Sequence, residues 1–209
     1  MTLELYTALI AFAFVSSITP GPNNLMLMAS GANFGFRRTI PHIFGIGAGF
    51  MVMLLLIGMG LKQLFDAYPV SHQILQVFCL SYLIYLAYKI ATATFPSAPQ
   101  LLLNEEPQPL LNTKSKPMTF IQAGLFQWVN PKVWTMALTG LSVYSPTNTL
   151  SSVLIVTLTF GAVNLPSVSV WTVLGQQMRR FLTNNRRLRI FNFAMASLLL
   201  LSVYPILSS

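Results

Sequence analysis

Three short stretches of this chain place polar atoms in the middle of apolar runs. Thr19-Pro20-Gly21-Pro22-Asn23-Asn24 sets two prolines around a glycine and follows them with two amides. Asn130-Pro131-Lys132 puts an ammonium beside an amide and a proline. Asn164 with Pro166 repeats the logic more weakly. Proline has no backbone N–H and clashes with the preceding turn, so each stretch frees carbonyls from their helical partners. These are recognition groups for a substrate: the Lys132 ammonium or the amides near Pro131 would pair with a carboxylate, while the carbonyls at Pro20, Gly21 and Pro22, with Asn23 and Asn24 beside them, would offer backbone groups and partial charge at an unwound segment. Polar groups of this kind are costly against lipid and belong in a bundle interior or a watery cavity.

Each stretch also has a plainer reading. The first is then a buried kink satisfied by neighbouring helices. Lys132 either donates to carbonyls released by the proline break or snorkels to the membrane surface. It lies nine residues before the end of its apolar run, about 13 Å along a helix, which favours an inward position. Asn164 and Pro166 read first as a kink, with Asn164 a candidate pore-lining residue. Tyr82 and Tyr85, with Tyr88, fall at helical spacing and either line the bundle or anchor it at the interface. Gly45 and Gly49 read as a close helix contact. His42 and His72 sit at the edges of apolar runs, where interfacial or loop roles are expected.

These stretches must be positioned by membrane helices. The chain has 209 residues, of which 54% are hydrophobic and 8% charged. Soluble domains carry about 25% charged residues, so a water-soluble domain is excluded. The fold expected is all-α, with six transmembrane helices, or five if the first or last only lies at the interface. The runs are 5–36, 39–61, 67–88, 118–141, roughly 150–174 and 190–206. A crossing takes about 20 helical residues. The whole chain reads as one transmembrane transporter domain: a first three-helix half at 1–94, a polar cytoplasmic loop at 95–117 with Glu105, Glu106, Lys114 and Lys116, and a second half at 118–209. Ser145-Pro146-Thr147-Asn148 divides the first two runs of the second half. The interrupted helices are the first and the fourth. Three is odd, so the halves would be inverted, an arrangement typical of secondary transporters.

The net charge of +8 is a topology signal. Arg37 and Arg38, Lys114 and Lys116, and the five arginines from Arg179 to Arg189 fall in odd-numbered loops, while Lys62 is offset by Asp66. Positive loops face the cytoplasm, which puts both termini on the periplasmic side. No nucleic-acid partner is implied. Glu4 in place of a basic start argues against a cleaved signal peptide. The lone Cys79 allows no intrachain disulfide. Two histidines, one cysteine and four acids are too few, and mostly at boundaries, to build an enzyme, zinc or haem site. No phosphate-binding loop of the ATP type is present, and no cofactor is expected. A small-solute channel and a structural membrane protein are the alternatives to a carrier. A homo-oligomer is compatible with the chain.

The first motif, followed by Ser30-Gly31, Gly35-Phe36-Arg37-Arg38, Gly45 and Gly49, resembles the amino-terminal signature of the LysE/RhtB amino-acid exporters. Phe126-Gln127-Trp128-Val129-Asn130-Pro131-Lys132 is similar to the second-half motif of that family. The likeness runs over nearly the whole chain. It implies export of an amino acid or derivative across the bacterial inner membrane, driven by the proton gradient. Many members carry Asp where this chain has Asn23. Asn there, and the stretch from Phe160 to Arg180, look like the cysteine/O-acetylserine exporter branch. Threonine- or homoserine-like substrates are the other implied class.

Overall fold

The computed structural model describes residues 1–61, 67, 69–92, 116–145, 149–178, 180–182 and 185–201. Most of the expected polar loop, with Glu105, Glu106 and Lys114, lies outside the described residues. So do Lys62, Asp66, Pro146, Thr147, Asn148 and Arg179, and the side chains of His72 and Cys79.

The regular elements described are all helical. In chain order they are α1 (Leu3–Ile18), α2 (Pro22–Phe34), α3 (Phe36–Leu56) with a wider π turn at Ile57–Leu61, α4 (Pro69–Ala91), α5 (Phe120–Phe126), a 3₁₀ turn at Gln127–Val129, α6 (Pro131–Tyr144), α7 (Leu150–Met178) and α8 (Asn185–Leu201). Helices begin where local chemistry says they should. Thr2 caps α1 by accepting from Leu5 N at 3.3 Å. Thr119 and Gln122 form a reciprocal capping box on α5. Pro22 and Pro131 each open a helix, where the missing N–H costs nothing. Gly35 joins α2 to α3 in one residue at φ 79°, a conformation that L side chains resist.

The expected count of six crossing helices is not what the structure shows. Among the described residues, two helical stretches are long and apolar enough to cross a membrane: Phe36–Leu61 and Leu150–Met178. A third exists if α1 and α2, bent by 54° at their break, form one span. For the run at 118–141 the physical reason is the interruption itself. The run at 118–141 is cut into α5 of 7 residues and α6 of 14. Among the described residues the last run gives the helix Asn185–Leu201, of 17 residues. Within α4 only Leu80–Ala91 reads as a short apolar helix. In the run at 118–141 apolar length overlooks the break at Pro131, and the picture of two inverted three-helix halves falls with the count of six.

α7 is the central element, packed on α1, α2 and α3, while α4 packs on α8 and α3 on α5. Between helices in lipid, close packing replaces the hydrophobic drive. Gly31 of α2 and Gly175 of α7 make this possible. A Cβ on Gly31 would overlap the Thr172 carbonyl, and one on Gly175 the Met28 carbonyl. Gly45 and Gly49 do the same for α3 against the backbone of α5 at Phe120 and Gly124. Phe50 and Phe160 meet edge-on at 5.2 Å in the largest apolar cluster, between α1, α3, α6 and α7. The outer surface is apolar, with Leu3, Met59, Val77, Ile121 and Leu201 all exposed, as a lipid-facing surface requires.

Among the described residues the basic side chains gather at one end, Lys132 apart. Phe36 N donates to Gln176 Oε1 at 2.9 Å, tying the start of α3 beside Arg37 and Arg38 to the end of α7. Ala32, Leu182, Leu188 and Ile90 share one cluster, which brings in the segment from Arg180 to Arg189 and the end of α4 at Lys89.

Candidate functional site

The break between α1 and α2 leaves the carbonyls of Ser16, Ser17, Ile18, Thr19 and Pro20 without helical donors. All five are met by side chains, Ser16 O by Thr19 Oγ1 at 3.1 Å. Asn24 Nδ2 donates to Ser17 O at 2.8 Å and to Thr19 O at 2.7 Å. Trp171 Nε1 on α7 donates to Ile18 O at 3.0 Å. Lys132 Nζ donates to Thr19 O, to Thr19 Oγ1 at 2.9 Å and to Pro20 O at 3.3 Å. The lysine beside the second break therefore serves the first one. It does not serve the carbonyls freed by its own proline, which was the plainer expectation for it.

Lys132 is held there by its own turn. Asn130 ends the 3₁₀ turn in an extended conformation and caps α6, accepting from Lys132 N at 3.2 Å. Gly21 faces the lysine stem, and a Cβ there would lie 2.5 Å from Lys132 Cδ. Glu4, exposed at the start of α1, is the only acid among the described residues, so none of them offers Lys132 a buried carboxylate.

A second link joins the two breaks. Asn23 Nδ2 donates to Gln127 Oε1 at 2.7 Å, and Gln127 Nε2 returns a bond to Asn23 Oδ1 at 3.3 Å. Gln127 also donates to Ala123 O at 2.7 Å and is fully buried. From α7, Asn164 Nδ2 donates to Ser17 Oγ at 3.1 Å, while its Oδ1 is buried without a partner. α7 runs on as one helix through Pro166.

These groups line one cleft of about 300 Å³, with Gly21, Asn23, Asn24, Asn130, Lys132 and Asn164 on its walls. Pro20, Pro22 and Pro131 shape the breaks around it. The cleft offers one ammonium, several amides, and an unpaired carbonyl oxygen on Asn164. Tyr82 and Tyr85 lie elsewhere. They stack on each other at 6.0 Å, Tyr82 leans on Phe126, and Tyr85 is 54% exposed. Neither lines the cleft.

Sequence reasoning did not single out Gln127, Ser17 or Trp171. A signal existed for one of them: Gln127 is a neutral amide in an apolar run, whereas Trp171, three residues before the end of its run at 174, reads from sequence as an interface anchor. Among the described residues no group of histidines, cysteines and carboxylates could hold a metal ion.

Known proteins resemble this chain over most of its length. A cysteine/O-acetylserine efflux protein of Escherichia coli (strain K12) is 28% identical over 193 residues, which is 91% of this chain and 92% of that protein. One from Salmonella typhimurium (strain LT2) is 28% identical over 182 residues, 86% of this chain and 87% of its own. Both are named as efflux proteins, not as enzymes. No solved structure matches. The sequence profile of the LysE type translocators matches residues 14–204, nearly the whole chain. The resemblance carried by the two motifs thus extends from the end of α1 through α8, and the chain belongs to the LysE family of multi-pass transport proteins of the bacterial inner membrane.

Proposed function

We propose that this protein exports a small amino acid or close derivative from the bacterial cytoplasm, with cysteine and O-acetylserine as the leading substrate class. The names of its relatives support that class. The observation that carries the reading is the reach of Lys132 from one break to the carbonyls of the other. That contact is an ammonium on carbonyls. A zwitterion can exchange partners with it. The substrate carboxylate takes the Lys132 ammonium, and the substrate ammonium takes the Thr19 and Pro20 carbonyls that Lys132 releases. Asn164 Oδ1 and Asn24 Oδ1 add neutral acceptors, and Asn23 with Gln127 ties the halves of the site together. No charge is left unpaired, which matters where desolvated charges are costly.

The grouping of basic residues at one end supports a cytoplasmic orientation for that end. Rocking of the packed helices would then expose the cleft to the other side. Coupling to the proton gradient follows the family resemblance. The test is efflux from inside-loaded vesicles, with and without an imposed proton gradient. Saturable, gradient-stimulated loss of cysteine or O-acetylserine, abolished by Lys132→Met and reduced by Asn23→Ala, is expected. Unsaturable efflux would point to a channel. Wild-type rates in both variants at normal abundance would overturn the residue roles.

A further inference from the structure

A second cavity, of about 490 Å³, opens between α2, α3, α4 and the segment before α5. It is separate from the Lys132 cleft and lies further along α2. Asn24 faces the cleft, whereas Ser30 and Asn33 face this cavity. Nine residues of helix separate Asn24 from Asn33, about 13 Å. Its walls are mostly apolar, from Met26, Leu86, Ile90 and Met118, and Lys89 and Lys116 border it. These lysines belong to the basic end of the bundle.

Most polar side chains here are already used. Ser30 Oγ and Thr39 Oγ1 are 2.9 Å apart, and Thr39 donates to Gly35 O at 2.9 Å. Asn33 donates to Ala29 O at 2.8 Å and to Asn192 Oδ1 at 3.0 Å. His42 is different. It is 1% exposed, it lines the cavity, and neither ring nitrogen has a partner. A buried imidazole without a hydrogen bond is costly, so the cavity is incomplete as it stands. An imidazole carries at least one N–H donor, and each lysine carries three. Among the described residues no lining side chain is acidic.

We infer that this cavity is a second binding site, for the carboxylate end of a small organic molecule, held by Lys89, Lys116 and His42. The site offers donors and positive charge to a carboxylate, and apolar walls to a short carbon chain. It offers no carboxylate to an amino group. It therefore differs from the Lys132 cleft, which has carbonyls for an ammonium: it recognises the acid and ignores the amine. Taking the ligand to be the transported amino acid rests on the proposed function. On that reading, the cavity captures the substrate at the cytoplasmic end before it reaches Lys132.

The experiment measures binding to the full chain in lipid nanodiscs, in a Lys132→Met background that disables the first cleft. The probes are O-acetylserine, N-acetylserine and butyrate. All three are expected to bind within threefold of one another. The pair Lys89→Gln with Lys116→Gln should weaken each at least tenfold. His42→Phe should do the same, while His42→Gln, which keeps a donor, should stay within threefold of the parent. The lysines border the cavity rather than filling the core, so their variants keep the test open if His42→Phe does not fold. Binding that needs the free amino group, or that survives both the lysine pair and His42→Phe, overturns the site. So does binding found in phosphatidylcholine discs and lost in phosphatidylglycerol discs, which would assign the lysines to a lipid headgroup. If the lysine-dependent binding is present but wild-type vesicles show no amino-acid efflux, the transport reading fails and the carboxylate site stands.

Discussion

Replacing Lys132 by Met separates a structural lysine from a substrate-binding one, because the two roles predict different sizes of effect. The structural loss can be counted. Thr19 O keeps Asn24 Nδ2 at 2.7 Å. Thr19 Oγ1 keeps its bond to Ser16 O at 3.1 Å. Only Pro20 O loses its hydrogen-bond partner, and Pro20 is exposed. One partly solvated carbonyl should cost about 1 kcal/mol, a few degrees at most in a thermal melt of a chain this size. The functional loss is larger. A substrate carboxylate brought into the cleft without its cation is a desolvated, unpaired charge, worth about 3 kcal/mol or more. That corresponds to roughly a hundredfold or more in rate. The assay is efflux of labelled substrate from inside-loaded vesicles, normalised to protein in the membrane, beside a melt of the purified protein. A hundredfold fall in efflux with a shift of a few degrees is expected. Efflux within about twofold of wild type would refute the partner exchange. A large loss of stability would refute the count of contacts.

Gly21→Ala should lower efflux about tenfold with little change in melting temperature. The extended backbone at φ −177° accepts Ala, and the new methyl displaces only the flexible Lys132 stem; vesicle efflux beside a melt checks it. Asn23→Leu, which orphans the buried Gln127 amide oxygen, and Gln127→Leu, which orphans the partly buried Asn23 amide, should each destabilise by about 1–2 kcal/mol, and the double variant by less than the sum. Denaturation of the four proteins closes that cycle. Gly175→Val should destabilise by about 3 kcal/mol or prevent assembly, because its side chain would meet the Met28 carbonyl, which cannot move aside as a side chain can. Membrane abundance and melting temperature report it.

Much of this protein was legible without coordinates, and the reason is local. Proline removes a donor wherever it stands, so the breaks at Pro20–Pro22 and at Pro131 follow from residue type. The scarcity of charge requires a membrane, and the placement of the arginines marks one end of the bundle. The two motifs, read in order, lead to the LysE family. Other features depend on tertiary packing. Lys132 meets Thr19 across 113 residues, and Asn23 meets Gln127 across 104. Trp171 caps a carbonyl of α1, and His42, expected at an interface, is buried beside a second cavity. No spacing rule connects such partners. They meet because α2 closes on α7 where Gly31 and Gly175 lack side chains, and α3 closes on α5 at Gly45 and Gly49. The number of spanning helices was misjudged for a related reason. Apolar length is a property of the sequence, but how much of it remains one helix is settled by whether packing supplies partners for the carbonyls that each proline releases.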